Sequence, residues 1–395
     1  MNNREVSSNE RIQSLDIIRG VAVFGIVLAN MMYFKSLAQK DILIFLEGHE
    51  LPEGGFNQFA TLFVSFLVEG KFYPMFSLLF GLGFYILYNR LQQKGLHANR
   101  VFSRRLVFLI IIGAIHIIFF WHGDILLTYG LTGFFLLFFI SRHPKTILIW
   151  SISMHVVASI VVGMITLKGT LGFPPIGEIK ALNEVTTSMM AEGGYWEIVG
   201  FRFTDSMINI ISNIFSIPTI LPLFLLGLYM GKTGMFHHAE AHLGRWKRIC
   251  LHSLWAGLLT SVATTMLMHN LTPIPSYIAY GVGFGLRTLT GPILMLFYLS
   301  AIILLTRKEI QKKIMKPFAN VGRMALTNYL MQTLILVFIF HGYGLGLYGQ
   351  FSSGAGLLLS IGVYIFQLIL STLYLKKFRQ GPMEALWRKW TYSKV

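Results

Sequence analysis

Long apolar runs separated by polar connections fill most of the chain. A run of about 17 to 25 apolar residues lets an α-helix cross a hydrocarbon core roughly 30 Å thick. The pattern predicts ten crossings, at residues 17–34, 72–90, 103–121, 124–141, 146–167, 209–231, 249–269, 284–306, 323–341 and 354–375. We therefore expect an all-α, polytopic transmembrane bundle that forms a single integral membrane domain over residues 1–395.

One further apolar segment, FNQFATLFVSFLV at residues 56–68, is short for a crossing. It leads through EGKFYP directly into the second predicted crossing. A helix of this length fits partway into a bilayer or along its surface. We interpret it as a short re-entrant or interfacial helix.

Two connections are long, and both fall on the side opposite the N-terminus. They are residues 35–55 and residues 168–208, and the second is predicted to be a long extracytoplasmic loop with room for one or two interfacial helices. On the other side, residues 307–322 and 381–395 are basic and amphipathic. Their composition predicts cytoplasmic segments that lie along the membrane surface and contact anionic lipid.

The composition agrees with a membrane protein. Hydrophobic residues make up 54% of the chain and charged residues 13%, against roughly 25% charged in typical soluble domains. The single cysteine, Cys250, excludes an internal disulfide. The chain lacks the P-loop, HExxH and G-x-S-x-G patterns, so we expect no metal.

The net charge of +16 is distributed unevenly. When the connections are assigned to alternate sides, all but seven of the 33 Lys and Arg residues fall on the side of the N-terminus. The exceptions are Lys35, Lys40, Lys71, Lys168, Lys180, Arg202 and Arg287. This positive-inside bias predicts a multi-pass membrane protein with both termini in the cytoplasm. The basic charge thus reports topology, and the lipid bilayer, not nucleic acid, is the expected partner.

The first crossing, SLDIIRGVAVFGIVLANMMYF, retains Arg19 near one end and Asn30 well inside. Their spacing of eleven residues is three helical turns plus about 20°, so they share a face and are separated by roughly 16 Å of rise. Asp16 lies three residues before Arg19 on the same stripe. Either Arg19 snorkels, Asp16 caps the helix and Asn30 bonds a neighbouring helix, or this face lines a polar pathway.

The third and fourth crossings form a tight hairpin, GAIHIIFFWHGDILLTYGLTG. It contains His116 inside the span, and His122 and Asp124 at the turn. A carboxylate beside an imidazole orients it and raises its basicity, as a general base requires. In the alternative interpretation Asp124 is an N-cap and His122 is solvated at the interface.

Other polar residues are placed against the apolar trend. Lys71 and Arg287 are basic residues on the outer side, and we consider them substrate ligands, with a surface ion pair between Glu69 and Lys71 as the simpler explanation. Asn328 and Gln332, four residues apart, form a polar ladder that either lines a channel or bonds helix to helix.

Five segments together resemble one family of bacterial inner-membrane proteins. They are RIQSLDIIRGVAVFGIVLAN, KFYPMFSLLFGLGF, HGDILLTYGLTGF, GRMALTNYLMQ and GPMEALWRKW. As a set they are similar to the YeiB-like family, a domain of unknown function. The opening LDIIRG…N is also distantly similar to transmembrane acyltransferases of the heparan-glucosaminide acetyltransferase type and, more loosely, to bacterial O-acyltransferases.

The distant resemblance implies an acyl transfer across the membrane. Arg19 and Asn30 match the glucosaminide-type pattern, whereas the O-acyltransferases have His where Asn30 stands. A required imidazole would then come from His116, His122 or His49.

In the predicted function, an acyl thioester, acyl-CoA, docks from the cytoplasm. Arg19, Arg104 and Arg105 meet the donor phosphates, and Asn30 stabilises the developing oxyanion. His116 then takes the proton of a small-molecule, glycan or lipid acceptor at the outer face.

Two other classes of function fit the same residues. A transporter or exporter of a small anionic or lipidic solute would use the polar face as its route, with Arg19 and Arg287 as ligands. A non-catalytic membrane partner would use the polar groups as interhelical bonds. The sequence is also compatible with a homodimer.

Overall fold

The computed structural model describes residues 13–36, 51, 54–172, 176–237 and 239–392. Over these residues the chain forms α-helices and no β-strand. In chain order the helices are α1 (Gln13–Lys35), α2 (Gly55–Leu67), α3 (Phe72–Gln93), α4 (Ala98–Phe119), α5 (Leu126–Phe139), α6 (Pro144–Leu171), α7 (Ile176–Glu192), α8 (Tyr195–Phe201), α9 (Phe203–Phe215), α10 (Ile217–Lys232), α11 (Leu243–Met268), α12 (Ser276–Leu305), α13 (Glu309–Ile314), α14 (Lys316–Arg323), α15 (Ala325–Phe340), α16 (Ser353–Lys377) and α17 (Pro382–Tyr392). The predicted all-α fold is confirmed.

The helices that could cross a membrane agree with a multi-pass protein. Among the described residues, seven stretches are long and apolar enough: α1, α2 with α3, α4, α6, α11, α12 and α16. Two bent pairs, α9 with α10 at 49° and α14 with α15 at 83°, raise the number to nine. The remaining predicted crossing, 124–141, corresponds to α5, whose 14 residues extend only about 21 Å.

The segment at 56–68 forms the short helix that the sequence predicts, α2. Helix α2 leads into α3 without the sharp bend of the two broken pairs, and together they form one apolar stretch of 39 residues. That stretch is about 58 Å long, which exceeds a hydrocarbon core roughly 30 Å thick. Helix α2 therefore prolongs α3 and does not turn back as a re-entrant helix would. Gly70, with a φ of 75°, provides the short break between them.

The bundle has two ends. We call the end at which α1 and α4 begin, and against which α17 lies, the basic end. We call the opposite end, at which α4 and α15 finish, the far end. Residues 168–208, predicted to be a long loop, are largely helical at the far end, since they include α7 and α8.

Helix α1 runs through the centre of the bundle and crosses α14 at very short distance. A Cβ on Gly20 would lie 1.9 Å from the carbonyl oxygen of Phe318, and a Cβ on Gly322 would lie 1.8 Å from that of Asp16. Only glycine permits this approach. In the predicted surface segment 307–322, α14 therefore packs into the bundle, whereas α13 has no buried residue.

Helix α17 is fastened to the basic end by hydrogen bonds. The Glu384 carboxylate accepts from the backbone N–H groups of Leu326 (2.8 Å) and Thr327 (3.1 Å), which caps the N-terminus of α15. The indole of Trp387 donates to the carbonyl oxygen of Arg105 at 3.0 Å. The C-terminal segment thus ties α15 to the start of α4.

Candidate functional site

The centre of the candidate site is a buried histidine and aspartate. His116 lies in the last turn of α4, and Asp124 lies just before α5. The Nδ1 atom of His116 is 2.8 Å from Oδ1 of Asp124, and the imidazole is 2% exposed. The close packing of α4 on α5 at Gly113, where a Cβ would lie 2.3 Å from the backbone nitrogen of Leu127, brings the pair together.

Both interpretations of Asp124 hold in the structure. Its Oδ2 atom accepts from the backbone N–H of Leu127 at 2.9 Å, as a helix cap does. Its Oδ1 atom faces His116 and also accepts from the Tyr329 hydroxyl at 3.4 Å. The cap therefore fixes the carboxylate in the position from which it orients the imidazole.

The second imidazole nitrogen meets Thr333, a residue that the sequence analysis missed. Nε2 of His116 is 2.9 Å from the Thr333 hydroxyl on α15, and Thr333 is 1% exposed. An ionised Asp124 can only accept, so Nδ1 carries the proton, Nε2 accepts and the Thr333 hydroxyl donates. Carboxylate, imidazole and hydroxyl thus form one chain of hydrogen bonds.

Thr333 differs in its bonding from many other hydroxyls of the bundle. Ser77, Ser159 and Thr288 each donate to the carbonyl oxygen four residues earlier, the usual habit of Ser and Thr in a helix. Within the described residues, the hydrogen bond of Thr333 is directed to His116. No pattern along the sequence announces this contact, because the two residues are separated by 217 positions.

Aromatic rings surround His116. Its ring centroid is 5.5 Å from that of Tyr329, 6.4 Å from that of Phe120 and 6.5 Å from that of Trp121. Such a wall excludes water, and electrostatic interactions are stronger in a water-poor site.

Asn30 lies on α1 between two residues that pack near His116. Its neighbours on the helix stripe are Ile26, which packs in a cluster with Tyr329, and Phe34, which stacks on Trp121 with centroids 4.1 Å apart. The side chain of Asn30 is half-buried and has no hydrogen-bond partner among the described residues. Its carboxamide is therefore available to a ligand that enters this part of the bundle.

Arg19 lies at the basic end, away from His116. Its Nη1 atom is 2.8 Å from Oδ1 of Asp16, so the predicted charged pair at the mouth of α1 forms. The side chain of Arg19 is 30% exposed and that of Asp16 4%.

Arg104 and Arg105 are bound to α17. The guanidinium of Arg105 lies over the Trp387 ring, 3.5 Å from its centroid. Arg104 donates to the carbonyl oxygen of Trp390 at 2.9 Å, and the Trp390 indole donates back to that of Arg104 at 2.9 Å. These arginines thus position α17 beside the start of α4.

A basic pocket opens next to α17. Its volume is about 540 Å³. The lining residues are Arg90, Leu91, Lys94, Leu96, Gln380, Ala385, Arg388, Lys389 and Tyr392. The sequence analysis predicted only a lipid-contacting surface segment for Arg388 and Lys389. It did not predict that they meet Arg90 and Lys94, which they do because α17 folds back onto the end of α3.

The other predicted substrate ligands occupy separate places. Arg287 forms an ion pair with Glu69, with Nη1 and Oε2 2.6 Å apart, and Lys71 donates to the carbonyl oxygen of Ser65 at 3.0 Å. Glu69 thus pairs with Arg287, whereas the sequence analysis considered Lys71. Within the described residues, none of the hydrogen bonds of this cluster reaches His116.

Asn328 and Gln332 bond α15 to α16. The amide of Asn328 donates to Ser371 at 3.0 Å, and the amide of Gln332 donates to Gln367 at 2.8 Å. Both side chains are buried, so this arrangement favours the helix-packing interpretation of the ladder. Thr333 projects from a different side of α15, towards His116.

His122 lies at the far end, half-buried beside Trp121. Burial, and then the positive charge of Arg202, lowers its pKa to about 4. His122 is thus partly exposed at the interface, with an imidazole that is neutral at pH 7. The third candidate imidazole, His49, lies outside the described residues.

Comparisons with known proteins identify the family of the chain. A family model described as "Protein of unknown function (DUF418)" matches residues 230–394. The chain is 32% identical to the uncharacterized protein YxaH of Bacillus subtilis (strain 168), over 98% of this chain and 95% of that protein. The chain belongs to the DUF418 family.

A second relative is the protein after which the YeiB-like resemblance is named. The uncharacterized protein YeiB of Escherichia coli (strain K12) is 27% identical over 97% of this DUF418 chain and 96% of its own length. The predicted YeiB-like membership is thereby confirmed. No solved structure matches the chain.

Proposed function

We propose that this DUF418 protein is a membrane acyltransferase that moves an acyl group from a cytoplasmic acyl thioester, acyl-CoA, to an acceptor at the outer face. The observation that supports the proposal is the buried series of hydrogen bonds from Asp124 through His116 to Thr333. A nucleophile, a base and a group that orients the base are the parts that covalent acyl transfer requires.

The series assigns a role to each group. His116 Nε2 removes the proton of Thr333 as its oxygen attacks the thioester carbonyl carbon. The carbon–sulfur bond breaks, and the proton passes from the imidazolium to the thiolate. In the second step His116 takes the proton of the acceptor's hydroxyl or amine as that group attacks the threonine ester, and the Thr333 oxygen regains a proton. Asp124 holds the imidazole and stabilises its charged form.

Asn30 is placed to act on the acyl carbonyl. Its carboxamide is half-buried, lies between two residues whose partners surround His116, and has no partner among the described residues. A single well-placed donor to a developing oxyanion accounts for roughly 100- to 1,000-fold in rate in known enzymes.

The basic end fits the phosphate groups of the donor. The pocket beside α17 gathers Arg90, Lys94 and Arg388, and Arg19 is partly exposed at the same end. From Arg105 to His116 the rise along α4 is roughly 16 Å. An extended, flexible pantetheine arm suits that separation, because it would bring the thioester to the imidazole while the phosphates stay outside.

The test measures acyl transfer by the purified full chain from radiolabelled acetyl-CoA, with and without total bacterial lipid as acceptor. We expect His116→Ala and Thr333→Val to reduce release of CoA by roughly 100-fold or more, since general-base catalysis alone is worth that factor. Thr333→Ser retains the hydroxyl and should retain transfer. His252→Ala removes an exposed histidine of α11 and is the matched control.

Mass spectrometry without acceptor should detect an acetyl group on Thr333. If transfer survives in Thr333→Val but not in His116→Ala, the protein is still an acyltransferase. In that case the acceptor attacks the thioester directly, and no threonine ester forms. Wild-type rates in both variants would overturn the proposal.

Transport is the second candidate, because two helix pairs are broken. Helices α9 with α10 and α14 with α15 bend by 49° and 83°, and interrupted helices line the binding sites of many secondary transporters. Flux of an anionic solute into proteoliposomes without any covalent product would favour this function over acyl transfer.

A further inference from the structure

Arg202, between α8 and α9, is an uncompensated charge inside the far end. Its side chain donates through Nη1 to the carbonyl oxygen of Phe120 at 2.7 Å and through Nε to that of Ile198 at 3.4 Å. The residue is 2% exposed, and its Nη2 atom is buried without a hydrogen-bond partner in the part of the chain that the structure describes. Within the described residues, no carboxylate forms an ion pair with it.

A buried guanidinium without a counter-ion is costly, because desolvation of a charge is repaid only by a partner of opposite sign. The groups around Arg202 do not supply one. Burial lowers the pKa of His341 to about 3, and burial raises the pKa of Tyr343 to about 12. Together with His122, these groups are therefore neutral at pH 7.

Trp121 adds a second orphan donor at the far end. Its indole Nε1 is buried without a partner among the described residues, and the residue is 2% exposed. Trp121 follows Phe120, the residue that accepts from Arg202, and packs in one apolar cluster with Ile198, the other residue that accepts from it. Buried donors are satisfied in most native structures, so a pair of them indicates a missing acceptor.

We propose that Arg202, assisted by Trp121, forms a binding site for an oxyanion, a phosphate or carboxylate group of a ligand that enters from the far end. An anionic oxygen would satisfy the Nη2 atom and compensate the charge in one contact. His341 and Tyr343, whose Nδ1 and hydroxyl oxygen are 3.1 Å apart, supply neutral polar groups at its edge.

The site lies one helical turn beyond the candidate catalytic residues. Arg202 donates to the carbonyl oxygen of Phe120. The backbone N–H of Phe120 in turn donates to the carbonyl oxygen of His116 at 3.0 Å. An anionic group held by Arg202 would bring the rest of its molecule towards His116 from the outer side. The assignment of this site as the acceptor subsite rests on the proposed function. The binding of an oxyanion at the site does not depend on that function.

The test measures binding without reference to catalysis. The melting temperature of the purified full chain is recorded with inorganic phosphate, with acetate and with chloride at equal ionic strength. It is also recorded in nanodiscs of phosphatidylcholine with and without phosphatidylglycerol. We expect phosphate, acetate or the anionic lipid to raise the melting temperature by about 2 °C or more over its control, since a ligand that binds the folded state stabilises it.

Variants assign the effect to the site. Arg202→Gln should abolish the shift, and Trp121→Phe, which keeps an aromatic ring but removes the N–H, should reduce it several-fold. Lys168→Gln, which removes an exposed positive charge at the end of α6, should leave it unchanged. A shift with the anionic lipid alone assigns the oxyanion to a lipid headgroup, and a shift with a soluble anion assigns it to a soluble ligand. No shift with any probe, or an equal shift in Trp121→Phe, Arg202→Gln and wild type, would overturn the inference.

Discussion

At the scale of the residue, the two nitrogens of His116 have different partners, and this difference defines the candidate chemistry. Asp124 fixes the tautomer through Nδ1, and Thr333 occupies Nε2. In the proposed function this arrangement makes His116 the base towards the hydroxyl. The half-buried Asn30 adds an amide without a partner, and Arg202 adds a charge without an ion-pair partner, both among the described residues.

The histidines at the far end predict a dependence of stability on pH. The pKa of His341 is lowered from 6.5 to about 3 by burial and by the charges of Arg202 and His122. Below pH 6.5 the unfolded chain binds a proton that the folded chain does not, so stability is complete above about pH 6.5 and decreases as the pH falls towards 3. The upper limit of this decrease is about 1.4 kcal/mol per pH unit for one histidine.

Thermal unfolding in detergent at pH 7.5, 6.5, 5.5 and 4.5 measures this dependence. His341→Phe keeps a ring between Tyr343 and Tyr348 but removes the titrating group, so its profile should be flatter than that of the wild type. His252→Ala, at an exposed position, should leave the profile unchanged. Parallel profiles for wild type and His341→Phe would refute the assignment.

At the scale of the element, glycines set how closely the helices approach each other. Gly20 and Gly322 let α1 and α14 cross at backbone contact, and Tyr364 donates to the carbonyl oxygen of Gly20 at 2.7 Å. Helix α14 ends at the sharp bend that leads into α15. Because the crossing fixes the position of α14, it also helps to fix the direction in which α15 presents Thr333 to His116.

The crossing predicts a strong asymmetry between two glycine substitutions. In Gly20→Ala the new Cβ would lie 1.9 Å from the carbonyl oxygen of Phe318, so α14 must move away. We expect a loss of about 1 to 3 kcal/mol, typical of overpacking, and a lower melting temperature. In Gly362→Ala on α16 nothing lies within 4 Å of the Cβ, so stability should be unchanged or slightly higher. Equal melting temperatures for the two variants would contradict the close crossing.

At the scale of the whole molecule, the order of the helices brings residues from distant parts of the chain together. Helix α4 contributes His116 and α15 contributes Thr333, which meet at 2.9 Å, while Asn30 on α1 lies between Ile26 and Phe34, whose partners surround His116. The basic pocket lies at one end of this bundle and the Arg202 site at the other. This arrangement is what an enzyme with a donor on one side and an acceptor on the other would require.

The sidedness of the bundle is the prediction that belongs to this scale. Helix α5 has only 14 residues, so its crossing is the least certain from length alone. Fusions of green fluorescent protein or alkaline phosphatase after His122, after Arg142 and at the C-terminus report the side of each point. With both termini cytoplasmic, phosphatase should be active only after His122, and fluorescence should appear only at the other two points. The same reporter active after His122 and Arg142 would show that α5 does not cross.

The sequence by itself determined the kind of protein, its family and the position of one histidine–aspartate pair. Apolar runs of the right length predict the bundle because each crossing is specified locally by its own residues. The neighbouring His116 and Asp124 were found because they are close along the chain, and the family was recognised from five short segments. The short helix at 56–68 was also found from its apolar run, whereas its continuation into α3 past the break at Gly70 was not.

The tertiary structure alone decided which polar groups meet. Thr333 reaches His116 across 217 positions, and Glu69 pairs with Arg287 across 218. Such pairs depend on helix order, on the bend between α14 and α15 and on glycine contacts, none of which leaves a local pattern. Among the described residues, Nη2 of Arg202 has no acceptor because none of the neighbouring helices supplies one. Only the packed structure can show this.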